Sequence, residues 1–323
     1  MQLQALYTDT GDLDPSPGVA ILESAGFAVT VLETLDEEEI VLHAKNVDAI
    51  LLGYAPIRAS TLIHMKNVEI ISLLSTGYDN LDLEVATSRG ICVANIGGTS
   101  TEEVATHTMA LILNMVRGIS TYQDVAKRHE WFVTPYPHIP PRLSEHKLGI
   151  IGFGKIGQML ARIASPLFEE VIFFDPLFEP GTIHEGFRAT ILDEVVATSK
   201  VVSIHMPLNL ENARMFNSTL FSKMKPGSFL VNVSRGALID SMDLIQAIQT
   251  GQISRAALDV LEIEPPLPGE ALMETQGIAI TPHVAYLSDY TLKAYIEVQA
   301  QNVIDWFAGA VVENSINGIR VRK

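Results

Sequence analysis

Leu148-Gly149-Ile150-Ile151-Gly152-Phe153-Gly154-Lys155-Ile156-Gly157 decides how the rest of the chain is read. It begins as a short apolar run and turns into Gly-x-Gly-x-x-Gly. Gln158 to Ala164 follow with helical apolar spacing, and a second apolar run, Val171-Ile172-Phe173-Phe174, ends on Asp175. Strand, glycine turn, helix, strand and acidic residue is the order that holds a dinucleotide. In that reading Gly152 permits the tight turn, Gly154 lets backbone approach a pyrophosphate, and Gly157 lets helix pack closely on strand. The pyrophosphate then sits over Gly154, Lys155, Ile156 and Gly157, on the positive end of the helix. Asp175 is placed to accept from a ribose 2′-hydroxyl. A bare glycine pattern would equally suit a doubly wound domain whose glycines serve packing alone. The elements on both sides are what make the motif specific.

Outward from this stretch, composition bounds the answer. The 323 residues suffice for two domains, and 47% hydrophobic with 19% charged residues suits chains with sizeable cores. A net charge of -16 argues against nucleic acid as a partner. An anionic substrate must therefore be drawn in by a few local Arg or Lys groups. Cys92 is the single cysteine, which rules out an internal disulfide and suits a reducing cytoplasm. Met1 to Tyr7 reads as a first strand and not as a signal peptide. No apolar run approaches the ~18 residues needed to span a bilayer, so no membrane association is expected. No metal-ligand spacing appears.

Before the glycine turn, short apolar runs alternate with helical patterns. Leu3 to Tyr7, Ala28 to Leu32, Ala49 to Leu52, Ile70 to Leu74 and Ile91 to Val93 read as strands. Val19 to Ala25, Glu37 to Ala44, Ser60 to Met65 and Leu81 to Ser88 read as helices. This alternation implies a parallel sheet covered on both faces, without a second glycine motif. A long helix follows, with Ser100 and Glu103 as a capping box and an end near Gly118. From His129 through Trp131, Phe132 and Tyr136 to Pro141 the prolines exclude a regular element. After the turn, strands are expected at Val201 to His205, Phe229 to Val233, Ala256 to Val260 and Ile278 to Ile280. Helices are expected at Ala189 to Thr198, Ser218 to Met224, Asp240 to Gln249 and from near Asp289 to Phe307.

Three stretches sit just past the carboxyl ends of these later strands, where an open α/β sheet places ligands. Arg235 follows Val231-Asn232-Val233-Ser234; a guanidinium there can hold a carboxylate through two parallel hydrogen bonds. Glu264 stands where Pro265 and Pro266 stop the strand. His283 follows a strand and Pro282. Each residue alone has a structural explanation: a surface ion pair, a solvated carboxylate, a packed imidazole. Together, beside a dinucleotide site, they form a cation that orients an anionic carbonyl substrate and an acid/base with a carboxylate partner, which nicotinamide chemistry requires.

At these residues the chain resembles the D-isomer specific 2-hydroxyacid dehydrogenase family, over roughly Leu51 to Ile304. The resemblance rests on Ser75-Thr76-Gly77-Tyr78-Asp79-Asn80-Leu81-Asp82, the Gly152 turn with Asp175, Val201-Val202-Ser203-Ile204-His205-Met206-Pro207, and the Arg235, Glu264 and His283 stretches in that order. It implies an α/β fold of two doubly wound parallel-sheet domains. A flavodoxin-like substrate-binding domain would comprise residues 1–100 and 287–323, and a Rossmann NAD-binding domain residues 101–286. It implies Arg235 as the group that binds the substrate carboxylate and polarises the 2-oxo group, His283 as the acid/base and Glu264 as its orienting partner. Backbone amides at Thr76 and Gly77 would hold the carboxylate as well. His205, Met206, Pro207, Asn212, Val233, Ser234 and Asp259, with Arg235 and His283, would line the nicotinamide end of the cofactor pocket.

Two departures stand out. Many relatives carry Val-Ala-Glu-His where this chain has Val104-Ala105-Thr106-His107, which is expected to affect helix packing or a dimer seam and not chemistry. Relatives often have small residues where Tyr286 and Leu287 follow His283. The expected activity is NAD-dependent interconversion of a small 2-oxo acid and its D-2-hydroxy acid, by a homodimer paired through the Ser100 to Gly118 helix. Two readings stay open beside it: D-3-phosphoglycerate dehydrogenase, and a non-catalytic NAD(H)-responsive binding protein similar to the C-terminal-binding-protein corepressors. Gly53, in the place where a phosphate-binding arginine often stands, weighs against the first, although Arg58 is close by in sequence.

Overall fold

A computed structural model describes residues 2–11, 13–131 and 134–322. Phe132, within the expected irregular stretch, lies outside the described residues, as do Met1 and Lys323. The chain divides into two compact units, Met1–Thr99 with Leu287–Lys323, and Ser100–Tyr286.

Unit 1 opens with β1 (Gln4–Tyr7), α1 (Ser16–Ser24), β2 (Ala28–Val31), α2 (Glu37–Ala44), β3 (Ala49–Leu52), α3 (Ala59–Leu62), β4 (Ile70–Leu73), α4 (Leu83–Ser88) and β5 (Cys92–Ala94). The strands pair in parallel in the order β2-β1-β3-β4-β5, a doubly wound arrangement. Central strands are apolar on both faces because helices cover both; Ala49-Ile50-Leu51-Leu52 is buried throughout. Asp36 and Asp82 start α2 and α4 by accepting the N–H groups of Glu38 and Val85.

Unit 2 runs through α5 (Thr101–Arg117), α6 (Ile119–Lys127), β6 (Lys147–Ile151), α7 (Lys155–Ala164), β7 (Glu170–Phe174), β8 (Ile183–His184), β9 (Phe187–Ala189), α8 (Leu192–Thr198), β10 (Ser199–Ile204), α9 (Ser218–Lys223), β11 (Ser228–Asn232), α10 (Ser241–Gln249), β12 (Ile253–Leu258), α11 (Ala271–Glu274) and β13 (Ile278–Ile280). Its sheet has the order β13-β12-β11-β10-β6-β7-β9-β8, parallel except for the β8–β9 hairpin. The order reverses between β6 and β10, so the glycine turn stands at the topological switch point. The chain then returns to unit 1 with α12 (Thr291–Phe307). Gln299 and Asn302 on its buried face donate to the β3 and β4 backbone and side chains, at Leu52 O, Ser72 O and Ser72 Oγ.

Two local expectations are corrected. Ser100 makes no side-chain cap; its carbonyl accepts from Val104 and α5 begins without a capping box. The apolar stripe Val104, Thr108, Leu111, Ile112 and Met115 packs into the unit 2 core and holds the helix regardless. The helix expected from Ala189 starts at Leu192, because Phe187–Ala189 pair with β7 as β9. The hairpin turn has Glu185 at φ 54 and Gly186 at φ 85, both positive as a two-residue type I′ turn requires. Its strands are too short to show alternation.

Candidate active site

The glycine turn has the space and the donors for a dinucleotide. Gly152 has φ 93, and a Cβ there would lie 2.6 Å from the His205 carbonyl and the Met206 nitrogen, where β6 and β10 end side by side. Gly154 faces open space and precedes α7 without a side-chain cap, so first-turn N–H groups are left for an anion. A Cβ on Gly157 would collide with the Gly152 carbonyl. The Asp175 carboxylate, at the end of β7, accepts the N–H groups of Phe153 (2.8 Å) and Leu177 (2.9 Å). It thereby ties the turn to the second strand and keeps lone pairs for a diol. These residues fit a dinucleotide: an open glycine, free helix-end donors and an acidic acceptor.

Beside the turn, His205 N–H donates to Ile151 O at 2.7 Å and its Nε2 lies 2.8 Å from Ser203 Oγ. Burial pushes this imidazole down to about 3, so it is neutral at working pH and suited to a wall, not to proton transfer. Asn212 donates to Pro207 O at 2.8 Å, closing the loop after β10. Ser234 Oγ donates to Met206 O, joining the loops after β10 and β11. Val233 is buried beneath them.

Arg235, Glu264 and His283 come from the loops after β11, β12 and β13. Asn232 shapes the first loop: its Oδ1 accepts Ser234 N–H and its Nδ2 donates to Arg235 O. Arg235 Nη1 donates to Ser234 O at 2.8 Å. A Cβ on Gly236 would collide with Leu261 and Glu262 backbone, so this glycine lets the second loop close on the first. Glu264 Oε1 accepts Leu261 N–H at 2.7 Å and its Oε2 lies 2.6 Å from His283 Nδ1. Burial alone would push the Glu264 carboxyl up. The His283 hydrogen bond, the Leu261 N–H and the charges of His283 and Arg235 outweigh it and hold the group below the usual carboxylate range. Glu264 thus stays ionised and, as the acceptor of Nδ1–H, leaves Nε2 of His283 outside the pair.

His283 has φ 52, a left-handed conformation that a non-glycine residue keeps only when its surroundings over-determine it. Asp259, 1% exposed, supplies that: its carbonyl accepts His283 N–H (2.8 Å), and its carboxylate accepts Val284 N–H (3.0 Å), Ala285 N–H (2.9 Å) and Thr281 Oγ1–H (2.5 Å). The Asp259 carboxylate is turned onto the His283 loop. His107 of α5 adds Nε2 at 3.2 Å from Thr281 Oγ1 and 3.6 Å from Asp259 Oδ1. Sequence reasoning gave His107 and Gly236 no functional role, although His107 lies in the Val104-Ala105-Thr106-His107 stretch; only the fold sets them against their partners. Thr106, the departure from relatives, is exposed and bonds back to Glu102 and Glu103 carbonyls. Thr76 and Gly77 lie in unit 1, in the loop after β4, and carry no intramolecular partner on either N–H among the described residues. The described residues hold no metal-ligand cluster, and none of their helices is long and apolar enough to cross a membrane.

Residues 109–285 match the profile of the D-isomer specific 2-hydroxyacid dehydrogenase NAD-binding domain. The chain is 30% identical to hydroxypyruvate reductase of Blautia hydrogenotrophica, over 98% of each chain. Its fold is similar to D-lactate dehydrogenase of Aquifex aeolicus in complex with NAD and lactic acid (TM-score 0.86, 28% identity, 97% of this chain and 99% of the other). It is similar as well to an NADPH-dependent glyoxylate/hydroxypyruvate reductase of Sinorhizobium meliloti with NADP and malonate (TM-score 0.87, 25% identity, 100% and 99%). A dinucleotide turn, an ionised carboxylate on an imidazole and a neighbouring guanidinium, carried on a sheet shared with these enzymes, lead to one assignment. The chain belongs to the D-isomer specific 2-hydroxyacid dehydrogenase family, oxidoreductases that interconvert 2-oxo acids and D-2-hydroxy acids with a nicotinamide dinucleotide.

Proposed function

We propose that this protein is an NADH-preferring reductase of small 2-oxo acids of the glyoxylate and hydroxypyruvate class, with Arg235, Glu264 and His283 as its catalytic residues. The observation that carries the proposal is the 2.6 Å pair between Glu264 Oε2 and His283 Nδ1, with the charge of Arg235 felt at the same carboxylate. When bound, the nicotinamide supplies the hydride. Arg235 holds the substrate carboxylate and polarises the 2-oxo group, stabilising charge that develops on its oxygen. Thr76 and Gly77 contribute backbone N–H donors to the carboxylate. His283 delivers the Nε2 proton to the carbonyl oxygen and ends neutral, its Nδ1–H still held by Glu264. Asp259 keeps the loop in place through the reaction.

The substrate class is supported by the names of relatives, among them hydroxypyruvate reductase and the glyoxylate reductase of Thermofilum pendens. Tyr286, edge-on to the His283 ring at 6.5 Å, adds bulk beside the acid/base. Preference for NADH is supported by Asp175, whose charge repels a 2′-phosphate, and by Pro176 and exposed Leu177 after it, which offer no cation. A homodimer is supported by exposed Ile119, Trp131, Tyr136 and Ile139 after α5; sedimentation at working concentration tests it. Buried Cys92, the single cysteine, suits a reducing cytoplasm.

The test is an NADH-oxidation screen over glyoxylate, hydroxypyruvate, pyruvate and phenylpyruvate, repeated with NADPH. Turnover of the smaller acids with NADH is expected. Arg235→Ala and His283→Ala should each lower kcat/KM by about 10³-fold or more while retaining NADH binding. Full activity in either variant, or a clear preference for NADPH, contradicts the reading.

A further inference from the structure

The loop that follows β4 carries two consecutive N–H groups, Thr76 and Gly77, with no intramolecular acceptor among the described residues. Their neighbours, by contrast, are heavily tied. Ser75 Oγ donates to Gly77 O at 2.6 Å, and Ile96 N–H approaches Ser75 O at 3.5 Å. Asn95 Nδ2 donates to Thr76 O at 2.9 Å. Thr76 C=O and Gly77 N–H belong to one peptide unit, which is planar and trans. Fixing the carbonyl toward Asn95 therefore aims the Gly77 N–H the opposite way.

Asn95 is itself held from every side. It is 8% exposed; its Oδ1 accepts Gly97 N–H at 2.8 Å, its N–H donates to Asn314 O at 3.1 Å, and its carbonyl accepts Asn302 Nδ2 at 2.9 Å. Asn302, buried on α12, also donates to Ser72 Oγ at 3.1 Å and accepts Asn314 Nδ2 at 3.2 Å. Three asparagines, one just after β5, one on α12 and one in the C-terminal segment, thus converge beneath one peptide group. A buried amide costs stability unless its polar atoms are satisfied, and this network satisfies them while spending one donor on the loop.

We infer that Asn95, anchored by Asn302 and Asn314, is a positioning residue that presets the Thr76–Gly77 peptide as the donor for the carboxylate of the 2-oxo acid. This rests on the reading of Thr76 and Gly77 as carboxylate donors. The donor is oriented before the anion arrives, so Asn95 acts on its binding and not on the chemical step.

The experiment compares wild type, Asn95→Ala, Asn95→Asp and Asn302→Leu. It measures oxalate affinity of the enzyme–NADH complex by nucleotide fluorescence, NADH affinity, and KM and kcat for hydroxypyruvate. Loss of one such hydrogen bond should weaken oxalate binding and raise KM by about 5- to 20-fold in Asn95→Ala, with kcat and NADH affinity within about twofold. Asn95→Asp should lose more, because it adds a negative charge behind the same peptide. Asn302→Leu should show a smaller change of the same kind, and it carries the test if the Asn95 variants do not fold. Unchanged oxalate affinity in Asn95→Ala, or a fall in kcat at constant KM, overturns the inference. Gly77→Pro, which deletes the N–H without touching Asn95, separates the two levels. Weak oxalate binding there with normal binding in Asn95→Ala rejects the positioning role alone; normal binding in both rejects the carboxylate reading and the inference with it.

Discussion

The two units place different residues at the same point of the same kind of sheet. In unit 2 the strand order reverses between β6 and β10, and Gly152 there leaves room against His205 and Met206. In unit 1 it reverses between β1 and β3, and Asp9 fills the corresponding crevice. Its carboxylate accepts Tyr54 N–H at 2.7 Å, Ala55 N–H at 3.0 Å and Thr8 Oγ1–H at 3.0 Å, and a Cβ on Gly53 would collide with it. One crevice is left open at its glycines; the other is closed by a carboxylate that stitches the loops together and would repel a phosphate. A doubly wound sheet offers a site, and the side chain at the switch point decides whether it is used.

Substitutions at the two crevices should separate binding from stability. The largest effect is expected from Gly152→Ala, which forces a side chain onto a left-handed backbone and into β10. NADH affinity should fall by more than about tenfold, equivalent to over 1.4 kcal/mol, and titration of nucleotide fluorescence checks it. Wild-type affinity would show that the turn is not where the nucleotide rests. Asp9→Ala should do the reverse. A buried N–H, a half-buried N–H and a buried hydroxyl lose their acceptor, costing unit 1 about 2–4 kcal/mol, while NADH affinity stays unchanged. Urea unfolding followed by Trp306, which is buried in unit 1, reads the first; a matching loss of NADH binding would break the comparison.

The smallest effect is a pH dependence at the wall of the open crevice. His205 is held at about 3 by burial, below the ~6.5 of an unfolded histidine. The unfolded chain therefore takes up a proton first, and this residue's contribution to stability is complete above about 6.5 and declines as pH falls toward 3. His205→Gln should remove up to about 1 kcal/mol per pH unit from the acid-side slope of unit 2 stability between pH 6 and 4. An unchanged slope would mean that the ring is hydrated and not desolvated beside the glycine turn.

Much of this protein was legible along the chain, for a physical reason. Period and punctuation are local properties: apolar runs of strand length separated by helical spacing fix the alternation of elements, and Gly152, Gly154, Gly157 and Asp175 announce a dinucleotide turn because that turn is built from consecutive residues. Arg235, Glu264 and His283 could be singled out because each follows a buried strand and strand ends share one edge. Tertiary structure decided what depends on residues far apart in sequence. It set Gly236 against Leu261, brought His107 of α5 to Thr281 and Asp259, closed the first crevice with Asp9, and gathered Asn95, Asn302 and Asn314 beneath Thr76. It also started α5 without the Ser100 cap that local pattern implied, since core burial outweighs one side-chain hydrogen bond. Such contacts are specified by strand order and packing, and no window of neighbouring residues encodes them.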